Sequence, residues 1–299
     1  MSLTRTLTHA VSGASCKIHD FGACLVSYKT GAGRECIFVS RDAKLDGSKA
    51  IRGGCPLVFP QFGQSGKYES MPQHGFLRVN FWKADESTMY DNELGAGITY
   101  TLDLKDVKQA RGGKWDDNTT YDCSCFLHVK INSQSFSTIL EIKNTGKNEF
   151  EFQTLLHTYY LVDGKAALDG SSCYVKGLEG YSCSDKVSRD EYMTGSDPIV
   201  IKGLTDHVYN PPTGKDVVNV TVGVGGGREI SVKATGTVGE KSVQVSCVVW
   251  NPNKENAAGM SDFGDDQYHD MICVEPGILG NEILKAGESA SLTQLTEIL

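Results

Sequence analysis

An all-β fold, a large antiparallel sandwich, is predicted for this chain by three features of its sequence. Apolar and β-branched residues recur with a period of two in segment after segment, the spacing of half-buried strands. Turn-forming residues interrupt those segments about every eight to twelve positions. No internal repeat, low-complexity tract or long linker divides the 299 residues, so positions 1–299 read as a single domain. A chain of that length buries about three quarters of its unfolded surface and needs no staples.

The elements follow in order. "SCKIHDFGACLVSYKTGAGRECIFVS" reads as strands broken at Asp20-Phe21-Gly22 and at the turn Gly31 to Gly33. "RGGCPLVFPQFG", residues 52–63, is neither a regular helix nor a central strand. Its two prolines lack backbone donors and its glycines reach conformations other residues resist, so it reads as a stiff loop holding Arg52 in place. A second loop, "MPQHGFLR", carries Gln73, His74 and Arg78 beside Pro72 and Gly75. "GITYTLDL", then "FLHVKINSQSFSTILEIKNTGKNEFEFQTLLHTYYLV", continue the alternating pattern. So do "VVNVTVGV", "REISVKAT", "SVQVSCVVW" and "MICVEPG". Gly225-Gly226-Gly227 lacks the Lys-Ser/Thr of a phosphate loop and lies between two strands, so it reads as a hairpin turn.

The formal net charge is −8 and the isoelectric point near 5.4, the opposite of a nucleic-acid-binding balance. No apolar run has the length of a membrane span, and the N-terminus lacks the apolar core of a secretion signal. The expected location is the cytoplasm. There, ten cysteines read as reduced thiols packing as small apolar groups. No C-x-x-C occurs, and Cys123, Cys125 and Leu127 share one strand face, which makes the nearest cysteine pair core rather than a zinc site.

Polar residues interrupting apolar strands are the candidates for chemistry. His157 shares its phase with Gln153, Leu155 and Tyr159, downstream of the charged Glu149 and Glu151, so the face turns from solvated to enclosed. By residue type alone, a hydrogen-bonded core histidine and a catalytic one both fit. Glu275 precedes Pro276-Gly277, which reads as the end of its strand, and is either presented there on a rigid support or emerging into water. Asp206 and Asp262 read as loop carboxylates, for which turn capping is the plain alternative. For Arg52 that alternative is a solvated surface position.

Taken in order, "IRGGCPLVFPQFG", "PQHGFLR", "LLHTYY", "LTDHVY", "VVWNP", "MSDFGDDQY" and "CVEPG" closely resemble the hexose-6-phosphate mutarotases, or glucose-6-phosphate 1-epimerases, of the galactose-mutarotase-like superfamily. The resemblance runs from about residue 10 to residue 298. It implies an antiparallel β-supersandwich and a cofactor-free epimerase of hexose 6-phosphates with its active site on the concave face of one sheet. Separately, the chain is expected to be a monomer that holds no metal and has neither nucleic acid nor membrane as partner. Position by position, His157 resembles the family's general acid and Glu275 its general base. Arg52, Gln73, Arg78 and Asp206 match substrate-binding positions, and His74 a histidine beside the sugar. Two arginines on stiff loops would then clamp the 6-phosphate, the local field outweighing the net charge. Trp250, Tyr159 and Phe76 either offer flat apolar faces for a sugar or are ordinary core. Trp-Asn-Pro is followed by "NKENAAGM" where the family often has another aromatic and a Lys-Ala pair, so the resemblance assigns no contact to that loop. A mutarotase of free aldoses and a sugar-binding sandwich without activity remain alternatives.

Overall fold

Alternation along the strands builds two large sheets whose inner faces supply the core. The computed structural model describes residues 3–64, 71–104, 107 and 121–299. Nine antiparallel strands form one sheet, in the order Cys173–Lys176, Val218–Val224, Glu229–Val238, Ser289–Ile298, Ser135–Asn144, Cys123–Ile131, Gly95–Asp103 and Lys83–Asn92, with Lys241–Val243 added beside Glu229–Val238. Eight form the other: Glu191–Met193, Ser182–Asp185, Thr205–Asn210, Ser246–Asn251, Met271–Leu284, Phe150–Leu156 and Leu57–Val58, with Tyr159–Leu161 also paired to Met271–Leu284. A three-stranded sheet, Thr4–Thr8, Ser15–His19 and Cys24–Lys29, completes the sheet structure.

The period-two reading holds in detail. Cys123, Cys125, Leu127, Val129 and Ile131 are all buried on one side of their strand, and the Cys123 and Cys125 sulfurs lie 3.9 Å apart in the core. All ten cysteines are unbridged and buried. Gly225, Gly226 and Gly227, each with positive φ, turn the hairpin between Val218–Val224 and Glu229–Val238. Among the described residues no helix is long and apolar enough to cross a membrane.

Between the two sheets, Gln294 Nε2 donates to Thr158 Oγ1 at 3.0 Å and to Tyr160 Oη at 3.0 Å, and Tyr160 Oη lies 2.8 Å from Thr296 Oγ1. These contacts turn Thr158 and Tyr160 toward the nine-stranded sheet. By the same alternation, His157 and Tyr159 project from the opposite face.

The stiff loop is seated on aromatics. Phe59 is fully buried and packs against Phe76, Tyr121, Phe150 and Phe152 with ring centroids 5.5–6.2 Å apart. Phe76, a candidate sugar platform by sequence, is therefore core: the apolar residue that staples the second loop to the first. The two loops touch where Phe59 bridges Gly75. Gly75 has φ +74°, and a Cβ there would lie 1.8 Å from the Phe59 carbonyl oxygen. Gly75→Ala is expected to cost about 2–4 kcal/mol through left-handed strain and forced separation of the loops. Thermal unfolding followed by circular dichroism checks this; an unchanged Tm would contradict the close approach.

Candidate active site

The register of the strand Met271–Leu284 sets two titratable residues face to face. Gly277 pairs with Leu155 and Cys273 with Tyr159, one continuous antiparallel register, so Glu275 opposes His157. Opposed residues on neighbouring strands point the same way and approach closely. His157 Nδ1 lies 3.3 Å from Glu275 Oε1, and the residues are 7% and 1% exposed.

Glu275 does not end its strand, as its Pro-Gly sequel suggests; the strand runs fourteen residues, straight through Pro276 and Gly277. The reason lies in its neighbour. At His157 and Thr158 the facing ladder is broken, and the Leu156 carbonyl opposite Pro276 accepts from the Thr158 N–H at 3.0 Å. Proline's missing donor falls where no donor is required. The His157 N–H turns outward to the Pro56 carbonyl at 3.0 Å, which ties the histidine to the stiff loop.

Around the pair lies a cavity of about 540 Å³ lined by residues from seven stretches of chain. Arg52, Phe62, Gln73, His74 and Arg78 come from the two loops; Gln153 and His157, Lys186 and Asp206, Val248 and Trp250, and Glu275 come from or beside the sheet. All seven sequence-predicted site residues are thus brought together. A larger cavity of about 790 Å³ shares Arg52, Gln73 and Arg78 but reaches neither His157 nor Glu275. Asp206 is not in a loop: it belongs to the strand Thr205–Asn210, opposite Trp250. Asn256 and Met260 also line the cavity, so the segment after Trp250 does contribute.

Arg52 is no solvated arginine. Its Nε donates to Asp262 Oδ1 and its Nη1 to the Tyr159 hydroxyl, each at 3.4 Å, while Lys49 Nζ sits 3.0 Å from Asp262 Oδ2. Asp262, 1% exposed, therefore aims the guanidinium rather than capping a turn. Arg78 Nη2 donates to the Gln73 carbonyl at 2.8 Å, and its buried Nε has no partner. Tyr159 stacks on His157 at 4.9 Å with planes 10° apart, and Trp250 meets the imidazole edge-on at 6.0 Å.

Residues 4–296 match the sequence pattern of the Aldose 1-epimerase family. The chain belongs to that family. Two relatives, both named "Putative glucose-6-phosphate 1-epimerase", come from Cenchrus ciliaris and Escherichia coli K12. The first is 30% identical, covering 96% of this chain and 82% of its own. The second is 28% identical, covering 85% and 76%. The crystal structure of a "putative mutarotase" from Salmonella typhimurium superposes with a TM-score of 0.76 at 23% identity, over 95% of this chain and 87% of that one. A Synechocystis protein, Slr1438, gives 0.73 at 17% identity, over 100% and 96%. The β-supersandwich is thereby established, and the protein is an isomerase of the epimerase type.

In this epimerase the cavity is set up electrostatically for proton transfer. Burial pushes the Glu275 carboxyl well above the usual range; Asp206 adds to the push and Arg78 opposes it. Burial holds His157 well below an ordinary histidine, helped by His74, Arg78 and Arg52. Both shifts favour one proton on the pair, held on the carboxyl, and this is one proton transfer away from imidazolium and carboxylate. His74 Nδ1 accepts the Gly63 N–H at 3.1 Å, and burial with the two arginines lowers its pKa to about 3. It is thus neutral, with its proton on Nε2 as a fixed donor.

Proposed function

We propose that this epimerase acts on hexose 6-phosphates, interconverting their α and β anomers as a glucose-6-phosphate 1-epimerase. The observation that carries the phosphate reading is Arg78. Its guanidinium is half-buried, pairs with no carboxylate among the described residues, and lines the same cavity as the carboxylate-anchored Arg52. Burial lowers the Arg78 pKa to about 10, so it remains a cation at neutral pH. A desolvated arginine beside a polar cavity calls for an anion, and the fork geometry suits phosphate oxygens. The names of the two relatives agree with this reading.

Ring opening needs a proton taken from the O1 hydroxyl and one given to the ring oxygen as the C1–ring-oxygen bond breaks. Glu275 takes the first and His157 gives the second; after rotation about C1–C2 they exchange roles and the ring closes on the other face. Glu275 must then be ionised and His157 protonated, the reverse of what the cavity's own groups favour. A phosphate of charge near −2 between Arg52 and Arg78 offsets the field that holds His157 down, and so favours transfer of the shared proton to it. Asp206, Gln153, Lys186 and Asn256 line the cavity and in this reading partner the sugar hydroxyls, with His74 Nε2–H as a neutral donor and Gln73 at the rim. Two charge-assisted arginine contacts should favour glucose 6-phosphate over glucose by roughly 10²–10⁴-fold in kcat/KM. Polarimetry of both sugars at low temperature tests this; equal kcat/KM would overturn the phosphate reading.

A further inference from the structure

Ring opening leaves one group beside the acid–base pair without a task, the thiol of Cys273. It lies two residues before Glu275 on the same strand and face, paired with Tyr159 on one side and Trp250 on the other, and is fully buried. A His157 nitrogen, a Glu275 oxygen and the Cys273 sulfur all lie within 4.8 Å of one another. We propose that these three side chains form an inhibitory binding site for a thiophilic divalent cation, Zn²⁺ by the chemistry of its ligands.

Geometry supports this first. Bond lengths near 2.0–2.3 Å place the ligand atoms of a tetrahedral zinc about 3.4–3.6 Å apart. His157 Nδ1 and Glu275 Oε1, at 3.3 Å, already stand at that bite, and the sulfur needs to close by about an ångström at most. Unmet valence supports it second. Among the described residues, His157 Nδ1 and both Glu275 carboxyl oxygens are buried without a hydrogen-bond partner, since the 3.3 Å approach is poorly aligned for one. Such groups are costly to bury, and one cation would satisfy an imidazole lone pair and a carboxylate together. The mixed nitrogen, oxygen and sulfur set favours Zn²⁺ over Mg²⁺ or Ca²⁺, which take oxygen ligands. The fourth position would face the cavity that His157 and Glu275 line.

Burial keeps both the Cys273 thiol and the Glu275 carboxyl protonated at neutral pH, so coordination expels two protons to solvent, one from each, as the sulfur–metal and oxygen–metal bonds form. Asp206, whose charge acts on Glu275, offsets part of the repulsion from Arg52 and Arg78. A bound cation occupies the lone pairs that ring opening uses. The inhibition rests on the acid–base reading; the binding does not.

Co²⁺ alone, titrated into metal-free protein, tests the binding. A thiolate-to-cobalt charge-transfer band in the near ultraviolet, displaced by Zn²⁺ and absent from Cys273→Ser, is expected. Zn²⁺ should abolish anomer exchange and EDTA should restore it. Cys273→Ser should keep wild-type turnover while needing at least about tenfold more Zn²⁺ for half-inhibition. No thiolate band in the wild type, or a band that survives Cys273→Ser, overturns the site, as does equal inhibition of both proteins. If Cys273→Ser fails to fold, Glu275→Gln gives the same spectroscopic test, because loss of the carboxylate should weaken the band at a given Co²⁺ concentration; an unchanged titration would overturn the site. Full activity in Glu275→Gln, with the cobalt band present in the wild type, would remove the catalytic reading and leave the metal site standing.

Discussion

Replacing Glu275 by glutamine is expected to slow anomer exchange by ~10²–10⁴-fold and, at neutral pH, to raise the melting temperature. The loss follows from the side chain's place opposite His157: an amide of the same shape keeps the packing but cannot take the O1 proton. The gain follows from burial. In the fold the carboxyl holds its proton to higher pH than in the unfolded chain. At low pH it is protonated in both states and has no effect; as pH rises through the ordinary carboxylate range, the unfolded chain sheds the proton first and stability falls. The advantage of Glu275→Gln should therefore be present at pH 7 and absent below about pH 4. His157→Ala should lose activity on the same scale, and the double variant should be little slower than either, because the two proton transfers are parts of one step. Sugar-phosphate binding should survive in all three. Turnover by NMR exchange and unfolding scans at the two pH values decide the matter; near-normal turnover in Glu275→Gln would remove the carboxylate from the chemistry.

Much of this site is local in the sequence and so was legible there. The phase of "EFEFQTLLHTYYLVD" places His157 on an enclosing face, and burial rises along it from exposed Glu151 to buried Leu155 and His157. The proline-rich loop is seated on the core through Phe59, and its arginine is held by Asp262 and Tyr159. What failed was reading Pro-Gly as a strand end. That inference assumes the facing strand needs the proline's donor, and only the tertiary structure shows the Leu156 carbonyl opposite Pro276 already taken by the Thr158 N–H. Asp206 was misplaced for a related reason: "LTDHVY" is too short and polar to read as a strand without its pairing to the strand that carries Trp250.

Long-range partners were not legible at all. Asp262 joins Arg52 across 210 positions, and Lys186, Asn256 and Met260 reach the cavity from segments with no periodic signal of their own. Motif order, rather than any local pattern, is what tied these pieces together. Phe76 went the other way: an aromatic beside a binding loop looks like a ligand platform, and the structure spends it on anchoring that loop.

Removing Arg52 or Arg78 should weaken the use of glucose 6-phosphate while leaving glucose nearly untouched. A charge-assisted contact is worth ~1.5–3 kcal/mol, a roughly 10–100-fold loss in kcat/KM for either alanine variant. Most of it should appear in KM, because phosphate is held alike before and during ring opening. The two variants should not be equal. Arg78→Ala leaves a backbone carbonyl, that of Gln73, without its donor. Among the described residues, Arg52→Ala leaves the buried Asp262 with Lys49 as its sole ion-pair partner, a carboxylate now repelling the phosphate it helped to recruit. Arg52→Ala should accordingly lie at the upper end of the range. Lysine at either position should recover part of the loss, since it restores the charge but not the planar fork. The measurement is kcat and KM for both sugars in the wild type and the four variants. Equal losses on glucose and its 6-phosphate would mean that the arginines brace the loops, and no loss on either would mean that this cavity does not read phosphate.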